Sequence, residues 1–251
     1  MGMTELVDVQ AGFGGGAPGQ REPVPPERLV EELRRHRIAQ ALVRITPEAQ
    51  DFDLCRSNQR LYEAVERCPE LLPCPVLAPA ACGDLPSEEE QVVEAIHRGA
   101  AAVVLRPGPD RWEPESWVVG PLLEALAAHA LPVLCLERFV PVAVVARWAA
   151  QAAALPLILA EISYGRDRTL LPLLREFPNT YLSIGNTFTA HRGLEFYVAH
   201  VGSGRLLFGT GLPDSEAGAA IGQLLFADLA EAERQQIGAG NFRRLQGGIR
   251  P

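Results

Sequence analysis

Charged and polar residues recur where the short apolar runs of this sequence end, and these residues are the ones that could do chemistry. Two of them are glutamates, Glu137 and Glu161. A glutamate that is buried at such a point has a raised pKa and can act as a general acid or base, so both are candidate catalytic residues. The candidate ligand-binding residues are Gln10, Arg44, Arg106, Arg138, Tyr164, Asn186, His191 and Asp214.

The arginines in this set favour a ligand that carries negative charge. A guanidinium group offers a planar fork of donors that matches a carboxylate or a phosphate. The same arginines could instead pair with the two glutamates, and charged residues are also common wherever a strand leaves the core for solvent. His191 is the one histidine expected near them, because His36, His97, His129 and His200 fall within or at the ends of predicted helices.

The elements that must position these residues alternate between short apolar runs and longer amphipathic stretches. Runs that are apolar on both faces are typical of parallel strands covered by helices. The predicted strands are Leu6–Gly12, Ala39–Ile45, Pro75–Pro79, Ala101–Arg106, Val133–Glu137, Leu157–Ile162, Thr180–Ile184 and Arg205–Gly209. The predicted helices are Glu27–His36, Asn58–Arg67, Glu88–Arg98, Glu115–His129, Val142–Ala153, Leu170–Glu176, Leu194–Val201 and Glu216–Leu229.

Eight such units predict an α/β fold, a (β/α)8 TIM barrel. The 251 residues fit a barrel of one domain, for which we expect frayed ends at 1–5 and 247–251. An open doubly wound sheet has the same periodicity and stays an alternative. In a barrel, ligand-binding and catalytic groups lie at the C-terminal ends of the strands, which is where the candidate residues fall.

Segments near both chain ends resemble the amidohydrolase superfamily of metal-dependent hydrolases. Leu6–Gly14 looks like that family's first strand, which normally reads Asp-x-His-x-His before an aromatic residue and a Gly. Arg205–Pro213 is similar to the last strand, where Phe-Gly-Ser/Thr-Asp-x-Pro is usual. Glu233–Leu245 looks like the closing helix, which typically ends in Ile-x-x-x-Asn-Ala-x-Arg-Leu. The resemblance therefore implies a TIM barrel with an extra C-terminal helix.

The resemblance also implies zinc or another divalent ion, which this sequence is not equipped to hold. In the family, two first-strand histidines, one histidine from each of the fifth and sixth strands, and the eighth-strand aspartate hold the ion. The matching positions here are Gln10, Gly12, Leu136 or Glu137, Glu161 and Gly211. Zinc needs three or four convergent N, S or O donors, so we predict no metal and no cofactor. A weak oxygen-ligand site for a harder ion is left open.

Composition and charge limit the class of protein. A net charge of -8 disfavours nucleic acid as a partner. No apolar run approaches the ~18 residues that a membrane span needs, and no secretory signal precedes the first strand, so we predict a cytoplasmic protein without a membrane partner. The 5 cysteines match neither a disulfide framework nor a paired zinc motif, and we expect reduced thiols.

Two functions fit these observations. The first is a degenerate family member that has lost metal hydrolysis and binds a small carboxylate or phosphate at the barrel mouth. The second is a hydrolase or decarboxylase of a small carboxylated substrate, either metal-free through Glu161 or Glu137 or with relocated metal ligands. Apolar residues on the outer helices, including Phe196 and Phe226, also allow a homodimer.

Overall fold

The structure is a computed structural model that describes residues 4–14, 23–46, 53–188 and 190–251, so residues 1–3 of the expected frayed end lie outside it. Its strands are β1 (Val7–Phe13), β2 (Gln40–Ile45), β3 (Leu71–Pro73), β4 (Val76–Leu77), β5 (Val103–Leu105), β6 (Val133–Leu136), β7 (Leu157–Ala160), β8 (Thr180–Ile184) and β9 (Leu206–Phe208). Its α-helices are α1 (Pro26–Arg35), α2 (Leu54–Arg67), α3 (Glu88–His97), α4 (Ser116–Ala128), α5 (Val142–Gln151), α6 (Asp167–Glu176), α7 (Gly193–Val201), α8 (Ala217–Leu225), α9 (Glu231–Gln235) and α10 (Asn241–Gln246). Short 3₁₀ helices span Asn186–Phe188 and Ser203–Arg205, and a π-helical turn spans Gln236–Gly240.

The strands run parallel and form a TIM barrel around which the helices pack. Within the described ranges, one ladder joins β1, β2 and β3, and a second joins β4 to β9 in chain order. Because β3 and β4 succeed each other directly in the chain, they share one strand position of the barrel. Near the gap between β9 and β1, the backbone N–H of Gly12 donates to the carbonyl of Leu212 at 2.9 Å. The predicted fold class is confirmed.

The third strand of the barrel begins before the predicted Pro75–Pro79, and its boundaries were predicted wrongly. Proline lacks a backbone N–H, and for that reason it normally indicates the end of a strand. Here the carbonyl of Pro73 accepts from Ala101 at 3.0 Å, and the carbonyl of Pro75 accepts from Val104 at 2.9 Å. The prolines act as acceptors toward β5, so the strand continues from β3 into β4.

The helices lie where they are predicted, although their ends differ by a few residues. The largest difference at an N-terminus is in α2, which begins at Leu54 and not at Asn58. Asp53 explains it, because its side chain accepts from the backbone N–H of Arg56 at 3.1 Å and caps the first turn. An N-cap acid followed by a polar turn was readable in the sequence and was missed.

The inside of the barrel is filled by apolar side chains of the strands, such as Val9, Leu42 and Leu207, which are fully buried. Phe242 and Leu245 of α10 belong to the same buried cluster. The last helix therefore covers the end of the barrel opposite the mouth, and the predicted extra C-terminal helix is present.

Residues 247–251, for which the sequence predicts a frayed end, lie against the end of α4. The backbone N–H of Arg250 donates to the carbonyl of His129 at 2.8 Å. One ring nitrogen of His129 lies 2.8 Å from the Arg250 carbonyl oxygen, and the other lies 2.8 Å from the Glu89 carboxylate. None of the helices in the described part of the chain is long and apolar enough to span a membrane.

Candidate functional site

Glu161 is the centre of a charged cluster at the C-terminal mouth of the barrel. It directly follows β7, and its φ of 62° lies in the left-handed region that only glycine adopts freely. Its Oε1 lies 3.2 Å from Nη2 of Arg44 and 3.2 Å from Nη1 of Arg138. A backbone held in this region costs about 1–3 kcal/mol and persists only where its surroundings fix it. The strain and the two ion pairs together mark Glu161 as a candidate functional residue.

Arg44 brings a buried charge into this cluster from β2. The strand register places it opposite Gly12 of β1, so both positions face the same side of the sheet. Its Nη1 donates to the carbonyl of Ala11 at 3.0 Å. Burial lowers the pKa of Arg44, and the negative charge of Glu161 opposes that shift. An arginine stays charged in proteins, so Glu161 is the counter-ion that allows a guanidinium to be buried here.

Arg138 is the exposed member of the cluster. Its side chain is 38% exposed, whereas that of Arg44 is 6% exposed. The guanidinium carbon lies 4.9 Å from the ring centroid of Phe139, which restricts its orientation. Arg138 is therefore the guanidinium of this cluster that solvent, or a dissolved anion, can reach.

The second candidate catalytic residue, Glu137, forms an ion pair of its own. It follows β6, and its backbone N–H donates to the carbonyl of Ala160 at 3.0 Å, which places it beside Glu161. Its carboxylate pairs with Nη1 of Arg166, the residue that precedes α6. The two predicted acids thus lie on neighbouring strand ends, and each is paired with arginine.

Gln10 occupies the middle of the mouth and is surrounded by glycines. Its side-chain carbonyl accepts from the Ser183 hydroxyl at 3.1 Å. A Cβ at Gly185 would lie 2.6 Å from Oε1 of Gln10, and a Cβ at Gly209 would lie 2.4 Å from the Ser183 hydroxyl. Larger residues at these strand ends would displace Gln10. The glutamine can therefore occupy this position because both strand ends carry glycine.

Asp8 fastens β1 to the segment after β9. It is fully buried and accepts from the backbone N–H groups of Gln10 at 2.8 Å and Thr210 at 3.0 Å, and from the Thr210 hydroxyl. Burial raises the pKa of Asp8, and these hydrogen bonds oppose the shift. Its oxygens accept from two backbone N–H groups and one hydroxyl of the barrel itself, so Asp8 serves to close the barrel.

Arg106 and Asp214 lie in different surroundings. Arg106 is buried, and its Nε donates to Oδ2 of Asp110 at 3.0 Å. Arg106 and Asp110, together with Trp112, line a cavity of about 970 Å³ between the loops after β2, β4 and β5. Asp214 is exposed, and its charge acts on Arg44.

The remaining predicted ligand-binding residues lie at the rim. Tyr164 is 69% exposed, and its backbone N–H donates to the Thr187 carbonyl at 3.0 Å. His191 is exposed in the turn before α7, and Asn186 begins the 3₁₀ helix after β8. Their roles in ligand binding stay predictions.

Several residues that shape the mouth were not predicted, namely Asp110, Arg166, Ser183 and Thr210. Asp110 had a usable signal, because it stands four residues after Arg106 in a short loop. Arg166 had none, because its partner Glu137 is 29 positions away in the chain. Such pairs exist only once the strand ends are brought together.

The described ranges contain no group of three or more His, Cys, Asp or Glu side chains that could hold a metal ion. The positions that the sequence resemblance predicts to match metal ligands carry Gln10, Gly12, Glu161 and Gly211, with Leu136 or Glu137 at the fifth strand. Leu136 is fully buried among apolar side chains of the barrel interior.

Solved structures match this chain over nearly its whole length. A 5-carboxyvanillate decarboxylase from Sphingomonas paucimobilis has a TM-score of 0.73 at 12% identity, covering 98% of this chain and 99% of that one. A dihydroxybenzoic acid decarboxylase from Polaromonas, with bound manganese and the inhibitor 2-nitroresorcinol, has a TM-score of 0.70 at 17% identity, covering 98% and 97%. A putative 2-pyrone-4,6-dicarboxylic acid hydrolase from Pseudomonas putida has a TM-score of 0.70 at 16% identity, covering 98% of each chain. At these identities the likeness shows the fold alone.

A family assignment comes from the sequence itself. No curated protein sequence matches the chain. The amidohydrolase family model matches residues 18–247, which is most of the chain and includes every strand from β2 to β9. The protein belongs to the amidohydrolase family.

Proposed function

We propose that this barrel binds a small carboxylated molecule at its mouth without a catalytic metal, and that it acts as a binding or regulatory protein. The observation that carries the proposal is the sharing of one carboxylate, that of Glu161, between two guanidinium groups. Arg44 and Arg138 thus have one negative partner between them in this contact. A carboxylate from a ligand would give Arg138, the exposed guanidinium of the cluster, a negative partner of its own.

The donors at the mouth support a site without zinc. Of the positions that match the family's ligands, Gly12 and Gly211 offer no side-chain donor, and Gln10 is not a usual zinc ligand. The Glu161 carboxylate already faces two positive charges, which a divalent cation would have to approach. These residues do not fit the family's metal.

The structural neighbours support the choice of ligand class. The names of the three described above refer to dihydroxybenzoic acid, carboxyvanillate and a pyrone dicarboxylic acid, which are all small carboxylates. A barrel that retains the fold and replaces the metal by arginines would keep the means to hold such a carboxylate. The cytoplasmic location predicted from the sequence stays a prediction.

Isothermal titration calorimetry with benzoate, phthalate, citrate and inorganic phosphate tests the proposal. We expect at least one carboxylate to bind the wild-type protein. Arg138→Gln should weaken that binding about tenfold or more, because a hydrogen bond to a charged group contributes roughly 1.5–3 kcal/mol. Arg147→Gln is the matched control, since Arg147 of α5 pairs with Glu115, the residue before α4, at 3.0 Å.

The outcomes separate the candidate functions. Absence of binding by all four compounds, or equal affinity of wild type and Arg138→Gln, would contradict the proposal. Binding of phosphate alone would change the ligand class. Release of a product from a bound carboxylate, followed by NMR, would favour a hydrolase or decarboxylase in which Glu161 or Glu137 takes part.

A further inference from the structure

The buried guanidinium of Arg44 lies among the positions from which family members bind their metal ion. We infer that Arg44 is a permanent cation built into the chain, which takes over the electrostatic role of that ion and excludes it. This inference goes beyond the proposed function, because it holds whether or not a carboxylate binds. It rests on two sets of contacts and on one hydrogen-bond donor without a partner.

The first set concerns Gly12, which matches the second first-strand histidine. Gly12 and Arg44 are register partners on β1 and β2. A Cβ at Gly12 would lie 3.2 Å from the Arg44 carbonyl oxygen and 3.3 Å from Cγ2 of Thr46, both tighter than ordinary contact, and 3.7 Å from Arg44 Cγ. A histidine at position 12 would therefore crowd the end of β2, and it would lie beside the stem of Arg44.

The second set concerns the other ligand positions. Glu161 matches the sixth-strand histidine, and its carboxylate lies 3.2 Å from Arg44 Nη2. A Cβ at Gly211, which matches the eighth-strand aspartate, would lie 3.7 Å from Nε2 of Gln10, which matches the first histidine. The positions of Gln10 and Gly211 are therefore close to each other, and at the position of Glu161 a positive charge is already present.

The third observation concerns the unsatisfied hydrogen-bonding capacity of Arg44. Its Nη atoms contact Ala11 and Glu161, but its Nε is buried and has no hydrogen-bond partner within the described part of the chain. A buried donor without an acceptor is unfavourable, so a residue kept only for stability would be expected to satisfy it. Retention of this charge points to a role in the site.

Chemical rescue tests the inference directly. In Arg44→Ala, the carboxylate of Glu161 loses its buried cation, and the protein should have a lower Tm. Guanidinium chloride at about 10 mM, far below the molar range in which it unfolds proteins, should raise the Tm of this variant by several degrees and that of wild type by almost nothing. Arg166→Ala is the matched control, because Arg166 is 41% exposed and its loss leaves no enclosed site.

The same preparations are tested for metal with manganese and zinc chloride, followed by dialysis and elemental analysis. Wild type should retain no stoichiometric ion. One tightly held ion per wild-type chain would overturn the inference, and so would an unchanged Tm of Arg44→Ala in guanidinium. Neither readout depends on ligand binding, so failure here is distinguishable from failure of the proposed function.

A second pair of variants covers the case in which Arg44→Ala does not fold. Arg44→Met leaves Glu161 without a buried counter-ion, whereas Arg44→Met combined with Glu161→Leu removes both charges. The inference predicts that the double variant folds with a higher Tm than Arg44→Met, because the arginine is present for its charge. A double variant that is no more stable than Arg44→Met would show that the arginine matters as packing, which would overturn the inference.

Discussion

At the scale of single residues, the mouth of the barrel depends on charge pairs whose members differ in burial. The side chains of Arg44 and Glu161 are 6% and 18% exposed. Water can therefore do little to replace the Glu161 carboxylate as a partner of Arg44. The pair of Glu137 and Arg166 has one half-exposed member, so water and salt screen it. Replacing the glutamate by glutamine should thus cost more stability in the pair of Arg44 and Glu161 than in the pair of Glu137 and Arg166.

Glu161→Gln should lower the free energy of unfolding by about 3 kcal/mol, because it leaves a buried guanidinium without its counter-ion. Glu137→Gln, the matched control, should cost less than about 1 kcal/mol. Urea unfolding of both variants near neutral pH measures the difference. Equal losses would contradict this account of burial. Loss of a measured turnover in Glu161→Gln without loss of stability would instead assign the residue to catalysis.

At the scale of elements, the sequence predicted what depends on local pattern and missed what depends on contact between distant segments. Runs such as Val133–Leu136 are apolar on both faces, and that pattern is sufficient to predict parallel strands between helices. The predicted strand ends located Glu161, Glu137 and Arg138 at the mouth. Nothing local predicted that Glu161 has a positive φ or that Arg166 pairs with Glu137, since both follow from tertiary packing.

His129 gives a prediction at this scale, because it joins the end of α4 to α3 and to the C-terminal segment. The hydrogen bond to Glu89, and then that to the Arg250 carbonyl, raise the pKa of His129 above its usual 6.5. Because its pKa is higher in the folded state, protonated His129 contributes its full stabilisation below pH 6.5. This contribution is lost as the pH rises through the folded-state pKa. Glu89 is 60% exposed, so after solvent screening we expect about 1 kcal/mol.

The sign of this effect is checked by comparing the free energies of unfolding of wild type and His129→Gln at different pH values. The stability difference should be present near pH 5.5 and should become small near pH 8.5. His97→Gln is the control, because His97 is exposed at the end of α3. A difference that grows with pH would be inconsistent with a charged His129 in this position.

At the scale of the whole molecule, the distribution of charge is the feature most relevant to function. The chain carries a net charge of -8, yet the contacts at Glu161 bring two arginines to one acid. An acidic surface weakens the attraction of anions to most of the protein, so anion binding should be confined to the mouth. The prediction that residues 1–251 form one domain stays a prediction.

The outer surface also bears on whether the protein is a dimer. At the end of α8, Phe226 is 90% exposed and Leu225 is 44% exposed. Phe196 of α7 is 40% exposed. The backbone N–H of Asp228 donates to the Glu195 carboxylate at 3.0 Å, which holds this end of α8 against α7. The three apolar side chains therefore belong to neighbouring segments. Exposed apolar side chains on neighbouring segments are typical of surfaces that bind another protein, and the partner we predict is a second copy of this chain.

We expect light scattering at about 50 μM protein to give twice the monomer mass of 27.2 kDa. Phe226→Ser should weaken the dimer roughly 30-fold or more, since an aromatic residue at the centre of an interface contributes about 2 kcal/mol. Trp117→Ser is the control, because Trp117 is 79% exposed on α4, on a different outer helix. A wild-type protein that stays monomeric at this concentration, or a Trp117 variant that dissociates equally, would exclude this surface as the interface. Dissociation by Phe226→Ser alone would place the contact on α7 and α8 and leave the charged mouth free for its ligand.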